Sequence, residues 1–207
     1  MPPIWIIPGV IILVSSFFIS KKVIKKIQGK TVFFTGPIEA GKTTLINWIL
    51  KKEPTIVYNP NAARERYKTY IDNMGRFRLY DMGGGIDQLS MDVFKGILED
   101  SDVVIFVFDV NKFVCSDKYR LYDVGARLDF IWLNKDLLKN KVLIFVATHK
   151  DELALSDMEI RGRFENLLKD KDYRRLFNYP LILVNLMKEE GIKTVYATLE
   201  KELNKKK

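Results

Sequence analysis

Residues Val32 to Leu50, VFFTGPIEAGKTTLINWIL, constrain this chain more than any other stretch: an apolar run, a loop with two glycines, then Lys42, Thr43 and Thr44 leading into a second apolar segment. Gly36, Gly41, Lys42 and Thr43 fit the spacing G-x-x-x-x-G-K-[ST]. The run before them reads as a strand and the segment after as a helix, the context in which that spacing makes a phosphate cradle. Each residue type has a physical reason. Glycines let backbone amides converge on phosphate oxygens, and the amino end of the helix adds positive potential. Lys42 reaches the outer phosphates and the Thr43 hydroxyl can ligate magnesium. The candidate phosphate-side residues are Gly36, Glu39, Ala40, Gly41, Lys42, Thr43 and Thr44. The loop by itself does not separate ATP from GTP.

Four segments, that first run included, read as near-continuous apolar runs: residues 31–35, 102–110, 141–148 and 180–184. Such runs suit strands covered on both faces, as in a parallel sheet. Helical patterns lie between them, clearest at Leu121, Val124, Leu128 and Ile131, whose spacing draws one apolar stripe. RYKTYIDNMGRFRLYD differs, because two alternating segments meet at DNMG, a hairpin turn. The pattern predicts an α/β, doubly wound arrangement: a mostly parallel six-stranded sheet with one antiparallel edge strand.

At 207 residues the chain suits one well-buried domain plus an appendage. Its net charge of +8 is confined to the ends: Lys21, Lys22, Lys25, Lys26 and Lys30 near the start and Lys205 to Lys207 at the finish. Residues 31–204 are left with 26 basic and 26 acidic side chains, so the body offers no basic face for nucleic acid. Cys115 is the only cysteine, so no intrachain disulfide is possible. Residues 1–20, MPPIWIIPGVIILVSSFFIS, hold no charge. As a helix they would rise about 30 Å, enough to span a bilayer core, with Pro8 predicting a kink or a helix that begins there. No basic segment precedes the apolar run and no small-x-small site follows it, which weighs against a cleaved signal peptide. The lysines on its carboxyl side then place the body in the cytoplasm and set residues 21–30 against anionic lipid headgroups.

Two more motifs follow in order. Asp81 ends a hairpin strand in LYDMGGG and gives D-x-x-G with Gly84. A carboxylate there can hold magnesium through water, and a glycine can turn its amide toward a terminal phosphate. After KVLIFVA comes THKD, Thr148 to Asp151, at the carboxyl end of a strand, where ligands of doubly wound sheets bind. GPIEAGKT, DMGG and THKD, in this order and at these intervals, resemble the Ras-like small GTPases across about residues 31–204. DMGGG is closest in pattern to Arf-like proteins, and THKD is similar to the motif of Roc domains. An apolar anchor ahead of such a domain resembles the beta subunit of the signal-recognition-particle receptor.

The resemblance implies a Ras-like, three-layer P-loop fold that binds GTP and GDP with magnesium, preceded here by a single transmembrane helix. It implies that Asp151 accepts two hydrogen bonds from guanine N1 and N2, which adenine cannot offer, beside Thr148 and His149. His149 stands where the family has a lysine whose stem packs over the base, and a stacked imidazole can substitute. By the same resemblance Lys42, Thr43 and Gly84 are the catalytic candidates, and Thr43, Asp81 and Thr55 the metal ligands. Thr55 lies further from Asp81 than the family spacing expects, and residues 61–63 at the expected place include no threonine. Arg64 and Arg66 stand nearby as arginine-finger candidates, with an exposed strand as their plainer role. NLMK, Asn185 to Lys188, occupies the place of the family's Ser-Ala loop, where backbone amides can serve.

These readings predict a domain order of membrane anchor (1–20), basic neck (21–30), G domain (31–204) and basic tail (205–207), working as a switch for a protein partner or activator. Two rivals are a nucleotide-stabilised scaffold without turnover and an ATP-using enzyme in which THKD is accidental. Gly85 stands where the family's water-orienting glutamine belongs, and Gln88 is three residues on. Hydrolysis should therefore be slow. Gly85→Gln is expected to raise the single-turnover GTP hydrolysis rate about tenfold, equivalent to about 1.4 kcal/mol of barrier. Normal GTP binding with an unchanged rate would count against a missing-glutamine account.

Overall fold

An apolar run without a polar gap has no solvent face, so the strand it forms must be covered on both sides. Here that condition dictates the architecture. The computed structural model describes residues 25–49, 67–72, 75–80 and 88–205, with the backbone alone described at 67–72, 75–80 and 88–90. Its elements are β1 (Thr31–Thr35), α1 (Lys42–Ile49), β2 (Tyr67–Asp72), β3 (Gly75–Tyr80), α2 (Gln88–Glu99), β4 (Val103–Asp109) and α3 (Val110–Cys115). A π-helical segment, Tyr119–Gly125, then runs into α4 (Ala126–Leu133), followed by β5 (Val142–Thr148), α5 (Asp157–Leu168), β6 (Leu181–Leu183) and α6 (Glu189–Lys205).

The strand order is β2-β3-β1-β4-β5-β6. β1, β4, β5 and β6 form an all-parallel block of four strands. β3 joins it parallel to β1, and β2 pairs antiparallel with β3. All seven residues of β4 and all seven of β5 are buried. Alternate side chains divide between two cores. Phe33, Val104, Phe106, Phe108 and Phe145 meet α2, α4 and α5 through Phe94, Leu128, Ile131 and Phe164. Val32, Phe34, Ile105, Val107, Ile144 and Val146 meet α1 and α6 through Leu45, Ile46, Ile49, Val195 and Leu199. The first core is rich in edge and tilted ring pairs, with Phe33 and Phe94 centroids 5.2 Å apart and Phe113 and Phe164 4.8 Å apart. Such pairs add to the area term about 0.5–1.5 kcal/mol each.

The strand order reverses at β1, whose neighbours are β3 and β4. That switch point opens the ligand crevice at the carboxyl ends of the strands. The helical stripe expected at Leu121, Val124, Leu128 and Ile131 is interrupted. The last three are fully buried but Leu121 is 40% exposed, because residues 119–125 wind as a π-helix whose wider turn carries Leu121 off the face.

The expected transmembrane helix, and with it the single-pass location with a cytoplasmic body, is corrected. No helix among the described residues is long and apolar enough to cross a membrane. The longest of the described α-helices, α6, has 17 residues and carries Glu189, Glu190, Lys193, Glu200, Lys201, Glu202 and Lys205. Its apolar stripe is spent on the second core, with Ile192, Val195 and Leu199 buried against the sheet. Residues 1–20, where that span was expected, lie outside the described residues.

Phe106 sits at the sheet centre at 0% exposure, with the rings of Phe108 and Phe145 at 6.2 and 5.7 Å. Phe106→Ala should lower stability by about 3–5 kcal/mol, read as a shift in the urea unfolding midpoint.

Candidate functional site

The loop from Gly36 to Gly41 turns on three residues in the left-handed region: Gly36 at φ 134°, Glu39 at φ 62° and Gly41 at φ 88°. A Cβ on Gly36 would lie 1.8 Å from the Val107 carbonyl oxygen of β4, so no other residue fits there. A Cβ on Gly41 would lie 2.9 Å from Leu186 Cδ1 and 3.6 Å from Thr148 Cγ2. These contacts bring together the phosphate loop, the end of β5 and the segment after β6.

Lys42 begins α1 and folds back over the loop. Its ammonium donates to the Gly36 carbonyl at 3.0 Å and to the Pro37 carbonyl, with the residue 4% exposed. The loop is thus a ring closed around its own cation. Thr43 is exposed and Thr44 half-buried on the first turn of α1, and Ala40 is fully buried beneath them. First-turn amides of any helix point out along the axis, where an anion can receive them.

The turn at the end of β5 is equally specific. Thr148, 1% exposed, is within hydrogen-bond distance of Ala40 O (3.0 Å), Phe108 O (3.1 Å) and His149 Nδ1 (2.8 Å). One hydroxyl therefore ties β5 to β4 and to the phosphate loop. His149 has a left-handed backbone, φ 57°, a conformation in which histidine is enriched among non-glycine residues. Asp151 lies exposed in the short turn Lys150–Glu152. Lys150 of the turn pairs with Asp157 of α5 at 3.1 Å, and α5 itself is started by the capping box of Ser156 and Glu159. The Glu159 carboxyl is held below its usual range, chiefly by the Ser156 side-chain hydroxyl.

Sequence reasoning missed Asp109 and Lys112. Asp109 ends β4, is 2% exposed, and caps α3 by accepting from the Lys112 amide at 2.9 Å. Its own amide donates to Tyr119 Oη at 3.0 Å. Burial, with the nearby Asp109 carboxylate, pushes the Tyr119 hydroxyl well above its usual range. The Lys112 ammonium pairs with Glu39 at 3.2 Å, and a cleft of about 220 Å³ lies between Pro37–Glu39 and Lys112, Tyr119, Asp123 and Arg127. The available signal was an acid closing an otherwise apolar run, a costly placement unless the carboxylate has partners. After β6, NLMK offers Asn185 Oδ1 as acceptor for the Met187 amide at 2.7 Å, while Trp48 of α1 donates to Leu186 O at 3.1 Å.

Thr55, Asp81, Gly84, Gly85, Arg64 and Arg66 lie outside the described residues. Among the described residues no group of three or more His, Cys, Asp or Glu is placed to hold a metal ion.

A strand, a glycine ring closed on a lysine and a helix, at the switch point of a parallel sheet, define a P-loop nucleotide-binding domain. The chain belongs to the 50S ribosome-binding GTPase family, whose model matches residues 31–149, and is a GTP-binding GTPase domain. It is similar to the tRNA modification GTPase MnmE of Borreliella burgdorferi, 26% identical over 186 residues that cover 86% of this chain and 36% of that protein. MnmE of Thermoanaerobacter sp. strain X514 is 24% identical over 155 residues, covering 64% and 33%. The chain thus spans about a third of the length of these relatives. Among solved structures, a small COPII coat GTPase Sar1 from Encephalitozoon cuniculi in complex with GDP aligns with a TM-score of 0.55 at 14% identity, covering 95% of this chain and 92% of that one. Toc33 from Arabidopsis thaliana aligns at 0.57 and 14% identity, covering 93% and 91%. These structural likenesses show the fold alone.

Gly36→Ala is expected to cost about 1 kcal/mol for the backbone angle alone, and more from overlap with the Val107 carbonyl. Nucleotide titration of the folded variant should show affinity lost by at least tenfold.

Proposed function

We propose that residues 31–204 act as a G domain that binds GTP and GDP, hydrolyses GTP slowly, and switches a protein partner between two states. The supporting observation is the Thr148 hydroxyl, which joins Ala40 of the phosphate loop to the turn carrying Asp151. In this reading phosphate holding and base reading share one hydrogen-bonded unit.

In this reading the loop amides and Lys42 receive the β- and γ-phosphates, and Asp151 accepts from guanine N1 and N2. Water attacks the γ-phosphorus in line with the departing GDP oxygen. Lys42 and the Gly84 amide stabilise the charge that spreads over the phosphoryl oxygens. Exposed Thr43, at the start of α1, suits a magnesium ligand, with Asp81 and Thr55 as its partners. When bound, the ion would neutralise charge between the outer phosphates. Gly85 has no side chain with which to orient the water, which is why turnover is slow. The tRNA modification named for the MnmE relatives is not carried over: residues 31–204 are charge-balanced and the chain spans 36% of that protein.

The test is the nucleotide released from the purified protein by acid. Guanine nucleotide is expected, and adenine nucleotide would overturn the reading. Asp151→Asn should shift preference from guanine toward xanthine, since an amide donates where a carboxylate only accepts. Competition with XDP against GDP reads this directly, and an unaltered base preference would remove Asp151 as the reader.

A further inference from the structure

His149 offers two ring nitrogens, and the contacts around Nδ1 bear on which one carries the proton. The Thr148 hydroxyl has a single hydrogen and three polar neighbours, two of which, Ala40 O at 3.0 Å and Phe108 O at 3.1 Å, can only accept. If that hydrogen were given to His149 Nδ1 at 2.8 Å, the hydroxyl oxygen would face two buried carbonyl oxygens with no proton between them. If instead Nδ1–H donates to Thr148 Oγ1, the hydroxyl hydrogen is left for one of the two carbonyls or is shared between them, and only this arrangement puts a proton on the carbonyl side. A second observation points the same way. Asp109 Oδ2, on a side chain 3% exposed, lies 3.6 Å from Nδ1, and a carboxylate repels a lone pair there but attracts an N–H.

Of the surrounding charges, Lys150 pairs with Asp157 and Glu152 accepts from Asn111 at 2.8 Å. Lys112 of α3 lies closest to Glu39, at 3.2 Å, and stands 4.0 Å from Asp109 Oδ2 as well. Asp109 is thus the charged group facing the buried side of the ring, and the ring itself is 36% exposed.

We propose that Asp109 and Thr148 lock the neutral imidazole of His149 as the Nδ1–H tautomer, so that its Nε2 lone pair is presented to the bound guanine nucleotide as a hydrogen-bond acceptor. Asp109 is then a positioning residue and His149 a nucleotide-contacting one. Where the resembling GTPases have a lysine, which only donates, this chain offers an acceptor, and the donor it meets is an N–H or O–H of the nucleoside. The proposal rests on the reading of the Thr148–Asp151 turn as the base-side wall.

The chain's only histidine makes the test clean, because imidazole nitrogen signals in the full-length protein report one residue. With 15N-histidine labelling of the neutral ring, Nδ1 is expected to show a protonated shift and Nε2 a lone-pair shift. Addition of Mg·GDP should move Nε2 upfield and leave Nδ1 in place, with binding followed independently by displacement of a fluorescent GDP analogue. Asp109→Asn should return the ring toward the Nε2–H form that free imidazole side chains favour, and weaken GDP about tenfold. Should that variant fail to fold, Thr148→Ser keeps the hydroxyl and should keep the Nδ1–H tautomer. An Nε2–H tautomer in the unaltered protein overturns the lock. A lone-pair Nε2 unmoved by bound GDP overturns the contact. Failure of GDP to bind a protein whose ring is Nδ1–H refutes instead the guanine-site reading on which the contact depends.

Discussion

Two adjacent strands buried at every position set the terms for the rest of the molecule. β4 and β5 have no face that water reaches, so each must be flanked by other strands and sandwiched by helices. Once that is done, their polar groups have only one place to go. Asp109 and Thr148 both stand at the carboxyl ends, paired across the two strands in register. A carboxylate and a hydroxyl are tolerated at under 3% exposure because each has hydrogen-bond partners from neighbouring elements. The site is where the sheet's apolar interior runs out.

The same register explains the shape of the phosphate loop. β1 lies beside β4, and Gly36, one residue past the end of β1, is pressed against the Val107 carbonyl so closely that a methyl group would overlap it. The chain must therefore turn sharply there, and it does so through three left-handed residues before α1 can start. Lys42 then closes the ring from inside. The arrangement needs few side chains: it is made mostly of backbone held by packing.

The phosphate loop was legible because its glycines and lysine answer to a local requirement, and the strands because a buried run is visible in any window. Asp151 entered through resemblance alone. Asp109 was not legible, since an acid at the end of an apolar run reads equally as a strand terminus and as a buried cap, and only the position of α3 and Tyr119 separates the two. Leu121 was misplaced because a 3.6-residue period cannot anticipate a π-helical turn, which depends on how the segment meets α4 and the sheet.

By itself the sequence determined the phosphate cradle, the parallel strands and their two-sided burial, because these follow from residue type at short spacing: backbone freedom at glycine, charge at lysine, apolar surface that must leave water. Tertiary structure alone decided the hydrogen-bond partners of Thr148, the contact of His149 with Asp109, and the ion pair of Lys112 with Glu39. Apart from the contact between neighbours Thr148 and His149, these join residues 40 or more positions apart. Such interactions are set by the register of strands and the angle of a left-handed residue, quantities that no local pattern encodes.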